Sequence, residues 1–241
     1  GTKYATSMEN LFYNCTLLED VVFNSDTTLT SDSQYRFDIS RNQSFKNMFY
    51  GCTSLLTIDF SNALYKDASG LTSTTLEGMF QGCSQLQSVA FPAWFDCPEN
   101  TSTASMFNGC SSITSIDISP FLTNNITSFA SMFSGCINLV DIVRPESPNT
   151  QNVKNTSSMF ANCYKLPNQD LFVFNTQNVT DMSSMFMNCT AMTNIDATQF
   201  VVSNVTTMNS MFNGCRNLVE VDLSTWTLKS GVTTVSMFAN D

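Results

Sequence analysis

The chain has 241 residues with 20 acidic and 10 basic side chains, which give a net charge of −10. This charge disfavours nucleic acid and anionic membrane surfaces as partners. The sequence has no histidine and no glycine-rich phosphate-binding motif, so it lacks the common nucleophile systems and nucleotide loops. We therefore expect a protein that is not an enzyme and binds no cofactor. No run of 18 or more apolar residues is present, so we expect no direct membrane insertion.

A motif that ends in cysteine recurs along the chain. In chain order it reads NLFYNC (10–15), NMFYGC (47–52), GMFQGC (78–83), SMFNGC (105–110), SMFSGC (131–136), SMFANC (158–163), SMFMNC (184–189) and SMFNGC (210–215), with a truncated SMFAND (236–241). The cysteines are separated by 37, 31, 27, 26, 27, 26 and 26 residues. A fixed period near 26 residues is typical of stacked-repeat proteins, in which each repeat contacts its neighbours.

Each copy predicts the same local elements. Apolar residues fall three before the cysteine, at it, and 3, 6, 8 and about 11 residues after it, as in Phe107, Cys110, Ile113, Ile116, Ile118 and Phe121. The spacings of three predict a helical or 3₁₀ turn, and the spacing of two predicts a short strand. An aromatic residue recurs at the last position, as Trp94, Phe121, Phe174, Phe200 and Trp226. We expect it to pack the turn that leaves the strand.

These patterns predict one repeat domain over residues 1–241, made of about eight coils. Residues 1–75 are irregular because insertions near 24–44 and 62–75 lengthen the first repeats, whereas residues 76–238 are regular. A stack of repeats tolerates such insertions as surface loops. Because the chain begins and ends inside the repeat pattern, we expect it to be a segment of a longer protein.

The shared pattern MFxGCxxLxxIDxSxxF/W, followed by NVTxMxxMF, resembles the BspA-like leucine-rich repeats. It is most similar to the 26-residue variant found in bacterial surface proteins and lipoproteins. The resemblance covers nearly the whole chain and is weakest at 163–174, where Pro167 interrupts the strand pattern. It implies a leucine-rich-repeat-like right-handed solenoid, with one short parallel strand per coil and short helical or 3₁₀ turns opposite. It also implies cell-surface display, a role in adhesion or partner binding, and no enzymatic activity.

Equivalent apolar residues are expected to form a buried core ladder, because stacked coils lay like side chains on one another. This core ladder comprises Phe49, Cys52, Phe80, Cys83, Phe107, Cys110, Phe133, Cys136, Phe160, Cys163, Phe186, Cys189, Phe212 and Cys215. The thiols are interpreted as small apolar filler, with disulfides between neighbouring coils as the alternative. Cys97 lies out of register and is a candidate for exposure or pairing.

Carboxylates recur seven residues after the cysteine. Asp59, Asp117, Asp170, Asp196 and Asp222 occupy this position, and the alternation places them on the outer face of the sheet. The favoured interpretation is a solvated face. The alternative is a calcium site or a surface for a basic partner, with Asp117, Asp170, Asp196 and Asp222 as the metal-ligand candidates.

Glycosylation sequons are numerous. Asn125, Asn178 and Asn204 share one position of the repeat, in a polar turn that should be exposed, and Asn100 and Asn42 are further candidates. In a eukaryotic source these side chains would carry glycans, whereas in a bacterium they would bond the local backbone in turns.

Two functions are compatible with these observations. In the first, the protein is an extracellular or cell-surface scaffold that binds a protein or glycan ligand through its sheet face and loops. In the second, it is a structural segment of an extracellular filament or surface layer. There the partner is a copy of itself, docked end to end, because the ends of a repeat stack are open edges. Nucleic acid is not expected as a partner in either case.

Overall fold

Successive repeats lie on one another as parallel coils. The protein is described by a computed structural model that covers residues 5–23, 42–61, 75–91, 101–121, 123–146, 148–168 and 174–239. The elements in chain order are the strands β1 (Thr57–Asp59), β2 (Ser88–Ala90), β3 (Thr101–Ser102) and β4 (Ser115–Asp117), a 3₁₀ helix (Thr123–Asn125), and the strands β5 (Ile126–Ser128), β6 (Asp141–Val143), β7 (Asn194–Asp196) and β8 (Glu220–Asp222). Within the described residues, no helix has the length and apolarity that crossing a bilayer requires.

The predicted strand forms one side of the coil after six of the repeat cysteines, whereas residues 18–23, after Cys15, form no strand. β1 pairs with β2, β4 with β6 and β7 with β8, all parallel and in register, so that Ile116 lies beside Ile142 and Ile195 beside Val221. The central residue of each strand points inward and its two neighbours point to solvent. This alternation follows from the pleat, and it explains why only one residue in each strand must be apolar. The interrupted strand near Asp170 lies outside the described residues.

A second parallel ladder runs along another side of the stack, eight residues before each cysteine. It contains the β3–β5 pair and a series of single bridges. The bridges join Ser44 to Thr75, Thr75 to Ser102, Ser128 to Asn155, Asn155 to Asp181, Asp181 to Thr207, and Thr207 to Thr233. The expectation of one strand per coil therefore missed this ladder. Ser, Thr, Asn and Asp at this position do not show the apolar alternation by which strands are identified.

The segment that leads to each cysteine is a series of tight turns, and the prediction of helical or 3₁₀ turns there is wrong. In the fourth copy, Met106 N–H donates to Thr103, Asn108 N–H to Ser105 and Cys110 N–H to Phe107, each at 3.1 Å. Ser105 (φ 56°) and Gly109 (φ 75°) are left-handed, as the third residue of a type II turn requires, whereas a 3₁₀ helix needs negative φ throughout. In the described residues, 3₁₀ structure is confined to Thr123–Asn125.

The core is a column of stacked side chains. Rings of successive Phe residues lie nearly parallel, with centroids 5.1 to 5.8 Å apart, through Phe12, Phe49, Phe80, Phe107, Phe133, Phe160, Phe186, Phe212 and Phe238. Backbone bonds accompany the stack. Phe107 N–H, for example, donates to Met132 in the next coil at 2.9 Å. The repeat spacing is thus carried by ring stacking and by the backbone ladder together.

Candidate binding face

The repeat cysteines act as hydrogen-bond donors, so the interpretation as apolar filler is incomplete. Sγ of Cys52, Cys83, Cys110, Cys136, Cys163, Cys189 and Cys215 donates to the carbonyl oxygen of Phe12, Phe49, Phe80, Phe107, Phe133, Phe160 and Phe186, respectively, at 3.0 to 3.1 Å. Each of these carbonyls also accepts the N–H of the cysteine in its own coil. Both lone pairs of a buried oxygen are thereby satisfied, which a methyl side chain could not achieve.

Burial keeps these thiols protonated. It raises the pKa of Cys52 to about 11 and that of Cys83 and Cys136 to about 12, against an ordinary value near 9. Burial also raises the pKa of Cys110, Cys163 and Cys189 well above that value. A protonated thiol is a poor nucleophile and a poor metal ligand, so the ladder is chemically inert at neutral pH.

The eight described repeat cysteines are all free, and the alternative of disulfides between neighbouring coils does not hold for them. The reason is directional, because Sγ of the seven buried cysteines is aimed at a carbonyl oxygen rather than at the sulfur of the adjacent coil. Cys15, in the first repeat, is exposed, whereas the other seven are buried. Cys97 lies outside the described residues.

The outward residues of the first strand ladder form what we call the strand face. It consists of the residues five and seven after each repeat cysteine: Asp20, Val22, Thr57, Asp59, Ser88, Ala90, Ser115, Asp117, Asp141, Val143, Asn168, Asn194, Asp196, Glu220 and Asp222. All of them are exposed, and among these described residues seven are carboxylates and none is Lys or Arg. The described part of the face is therefore net negative, with carboxylates at seven positions and uncharged residues at the other eight. The sequence pattern indicated the acidic residues seven after the cysteine. It missed those five after the cysteine, such as Asp141 and Glu220, although the period-two alternation places them on the same side of the strand.

The aspartates of the strand face also cap the turn that follows the strand. Oδ1 of Asp59, Asp117, Asp196 and Asp222 accepts the backbone N–H two residues later, at 2.7 to 2.9 Å. The Thr198 hydroxyl also donates to Asp196 at 2.6 Å. This bond is the main cause of a lowered pKa of Asp196, and the bond from Thr198 N–H is the second cause. These carboxylates therefore bond the local backbone, as Asx-turn residues do.

Calcium binding gains no support from this arrangement. Among the described candidate ligands, only Asp196 and Asp222 are direct neighbours across a strand pair, because Asp117 lies beside Val143 and Asp59 beside Ala90. In the described part of the chain, no three or more His, Cys, Asp or Glu side chains are grouped so that they could hold a metal ion. Asp170, the remaining candidate ligand, lies outside that part.

The sequon asparagines have structural partners. Nδ2 of Asn178 donates to the Gln151 carbonyl and Nδ2 of Asn204 to the Gln177 carbonyl, both at 2.7 Å. Asn152, which is not part of a sequon, makes the equivalent bond to Asn124. Asparagine at this position therefore links neighbouring coils, because its side-chain amide donates to a backbone carbonyl of the preceding coil. Asn125 lies at the same repeat position and is half-buried, and Asn100 is outside the described residues.

Asn42 is the one sequon candidate that burial argues against. Only 1% of its surface is exposed, and a bulky, solvated glycan has no room on such a side chain. The sequence signal is misleading here because a sequon specifies chemistry and not accessibility.

Two models of known protein families match the chain. A model described as "BspA type Leucine rich repeat region (6 copies)" matches residues 6–94 and 42–166, about two thirds of the chain. The chain belongs to the BspA-type leucine-rich repeat family. A second model, described as a Mycoplasma protein of unknown function, matches residues 137–241. BspA-type repeats are leucine-rich repeats, a class that generally serves as a scaffold for protein interactions through an extended surface.

Two solved leucine-rich repeat structures match the chain at low sequence identity. The leucine-rich repeat protein of T. pallidum is 19% identical with a TM-score of 0.34, over 79% of this chain and 64% of that one. A leucine-rich repeat protein from Bacteroides ovatus is 17% identical with a TM-score of 0.17, over 83% and 80% of the two chains. This chain thus spans less than two thirds of the T. pallidum protein. No curated protein gives a significant match.

Proposed function

We propose that this chain is a non-enzymatic scaffold of the cell surface, built as a right-handed solenoid, which mediates adhesion by binding a protein or glycan through its strand face. The observation that carries the proposal is the net negative charge of that face. In the described coils its exposed positions hold seven carboxylates and no cation. The strand face is also the part of the coil whose side chains are free of core packing.

The charge of the strand face favours a cationic partner. Adjacent coils place equivalent residues about 5 Å apart, at which two unit charges in water repel by about 0.8 kcal/mol. This repulsion is small enough for the folded stack to hold, and a basic protein segment or a cationic sugar would relieve it. Because the carboxylates are exposed, the attraction should weaken as salt screens it over a Debye length of about 8 Å.

The matched test neutralises the face without breaking the turns. Replacing Asp59, Asp117, Asp196 and Asp222 with Asn removes four charges, whereas the Asn Oδ1 can still accept the capping N–H. The wild type and this variant would be screened by surface interferometry against arrays of extracellular proteins and glycans at several salt concentrations. We expect ligands that bind the wild type, lose affinity as salt rises, and bind the variant at least tenfold more weakly.

Two controls accompany this screen. A circular dichroism melt that matches the wild type would show that the variant retains the fold. Removal of a single charge away from the strand face, by replacement of Glu77 with Gln, should leave binding unchanged, because Glu77 pairs with Lys46 at 3.0 Å elsewhere on the coil. Wild-type binding that survives neutralisation of the face, or an array without any ligand, would contradict the proposal.

Surface display requires its own measurement. Antibodies raised against the chain should label intact cells of the source organism, and brief protease treatment of those cells should remove the label. Label that appears only after the cells are permeabilised would refute display while leaving the binding result unaffected.

A further inference from the structure

Four large apolar side chains are exposed together in the middle of the stack, and we call them the apolar patch. Ile137, Val140 and Val143, in one coil, are 38%, 43% and 45% exposed. Tyr164, which is 44% exposed, occupies the position of Ile137 in the next coil. Single exposed apolar residues are ordinary in soluble proteins, whereas a group of them indicates an interaction site. Described coils lie on both sides of the patch, so further repeats at either end of the stack would leave it exposed.

The patch follows the chain from a turn onto the strand face. Ile137 lies in the tight turn after Cys136, which is closed by a bond from Leu139 N–H to the Cys136 carbonyl at 3.0 Å. Val140 directly precedes β6, and Val143 is the last residue of β6 and one of its outward residues. Residues 137–143 therefore carry three exposed apolar side chains, and the next coil adds Tyr164 at the coil spacing of about 5 Å.

The stack does not require apolar residues at these positions. In no other repeat are the residues one, four and seven after the cysteine all apolar, and the preceding coil holds Ser111, Thr114 and Asp117 there. The Ser111 hydroxyl donates to the carbonyl of Ser84, one coil earlier, at 3.0 Å. In the coil of Ile137 the equivalent bond is made by the next residue, Asn138, whose Nδ2 donates to the Ser111 carbonyl at 2.8 Å. Other groups thus maintain the stacking, and the exposed apolar side chains are not needed for the fold.

Charges border the patch unevenly. Asp117 lies beside Val143 in the register of the strand pair, and Asp141 is the other outward residue of β6. Both carboxylates are exposed. At the opposite end of the patch, Lys165 follows Tyr164 and is exposed as well. A partner that covers the patch therefore needs apolar side chains at its centre and cations over the strand-face end.

We propose that the apolar patch anchors a protein segment in which apolar side chains are flanked by Lys or Arg. The apolar side chains pack on Ile137, Val140 and Tyr164, as interface anchors do, and the cations meet Asp117 and Asp141. This inference rests on the proposed function, binding through the strand face, and adds the place and the chemistry of the anchor. A glycan fits less well because aliphatic side chains cannot hydrogen-bond its hydroxyl groups, and an anionic bilayer is repelled by the carboxylates.

Three synthetic peptides test the chemistry of the partner on the full chain. KKVLVKK has an apolar centre between cations, KKTNTKK keeps the cations with a polar centre, and EEVLVEE keeps the apolar centre between anions. In isothermal titration calorimetry, KKVLVKK should bind the wild type about tenfold more tightly than either of the others. Equal affinity for KKVLVKK and KKTNTKK, or no binding of KKVLVKK, would overturn the anchor. Either result would leave the proposed function standing if the ligand screen still finds salt-sensitive binding to the strand face.

A matched variant gives the patch the residues of the preceding coil. The combined changes Ile137→Ser, Val140→Thr and Val143→Asp should preserve the circular dichroism melt, because the neighbouring coil carries these residues at the same positions. The variant has one more carboxylate, so a purely electrostatic site would bind KKVLVKK more tightly, whereas we expect about tenfold weaker binding. The control Val201→Thr changes an apolar side chain that is 45% exposed elsewhere on the coil, and it should bind as the wild type does.

Hydrogen exchange locates the bound peptide without any variant. KKVLVKK should slow exchange of the wild-type amides across residues 137–143. Protection confined to other coils would overturn the proposal, as would undiminished binding of KKVLVKK by the folded triple variant. Neutral phosphatidylcholine vesicles or an array glycan that bind the wild type and not the triple variant would also overturn it, because the patch would then serve a lipid surface or a sugar.

Discussion

The buried thiols of the repeat cysteines should make the free energy of unfolding fall at alkaline pH, and Cys136 illustrates the effect. Burial raises the pKa of this thiol from 9.0 to about 12. In the unfolded chain the thiol ionises above pH 9, whereas in the folded protein it keeps its proton up to about pH 12. Its stabilising contribution is therefore complete below pH 9 and is lost progressively as the pH rises through this window. A difference of about three pH units, at about 1.4 kcal/mol each, amounts to about 4 kcal/mol.

The assay compares slopes rather than absolute stabilities. Free energies of unfolding in urea would be measured under reducing conditions, from neutral pH to about pH 11, for the wild type, Cys136→Ala and Cys15→Ala. Between pH 9 and 11 the wild type should lose about 1.4 kcal/mol per pH unit more than Cys136→Ala, because only the wild type releases this proton on unfolding. Cys15→Ala removes an exposed thiol and is the control for the loss of a cysteine as such.

Parallel curves for the wild type and Cys136→Ala would refute the reasoning. They would mean that the Cys136 thiol ionises equally readily in both states, which is incompatible with a buried donor to Phe107 O at 3.1 Å. The comparison is insensitive to the other alkaline titrations, because lysines, tyrosines and the remaining thiols are common to both proteins.

Four further predictions concern the repeat motif. Ser131→Gly should raise the free energy of unfolding in urea by about 0.5–1 kcal/mol, because the Ser131 backbone is left-handed (φ 54°). The nearby control Ser134→Gly, measured in the same way, should lower it by a similar amount. Gly135→Ala should cost about 1–2 kcal/mol at φ 74°, and Gly135→Asn clearly less, because Asn162 holds the same left-handed conformation in the next coil. Cys110→Ser should destabilise by about 1–3 kcal/mol and should expose no newly reactive cysteine to a thiol reagent, since Cys110 has a carbonyl and not a sulfur as its partner. Calcium should leave the melting temperature unchanged, since Asp117 and Asp196 already cap turns; a rise in Tm that saturates with calcium would contradict this.

The repeat period was sufficient to predict which residues lie on one another. Equivalent positions become neighbours in any regular stack, so the column of Phe rings follows from a spacing of 26 residues, as does the row of cysteines beside it. The period cannot predict where a polar hydrogen points. A shift of the Cys136 sulfur by about an ångström decides whether it lies near the Cys110 sulfur or donates to the Phe107 carbonyl, and both outcomes have the same sequence pattern.

The turn segment shows a second limit of sequence interpretation. Spacings of three residues occur in 3₁₀ helices and in overlapping β-turns alike, and only the backbone conformation distinguishes them. Serine in the left-handed region is uncommon, so Ser105 and its equivalents do not indicate such a conformation. The glycine or asparagine just before each cysteine is the stronger signal, because these two residues adopt positive φ most readily.

The left-handed positions also explain why the motif is so uniform and where variation is permitted. A Cβ on Gly51 would overlap Oδ1 of Asn14 in the preceding coil, and Gly214 stands in the same relation to Asn188. Where asparagine follows asparagine, as at Asn162 and Asn188, the two amides bond to each other at 2.8 Å. A change in one coil therefore constrains the residue above it. Strand-face positions accept more varied neighbours, since Asp59 lies beside Ala90 and Asp196 beside Asp222 in the same register, although the Ser115 hydroxyl donates to Asp141 at 3.4 Å across another strand pair. Selection for a ligand can vary these exposed positions with little effect on the stack wherever the oxygen that caps the turn is kept, which is why we locate binding on that face.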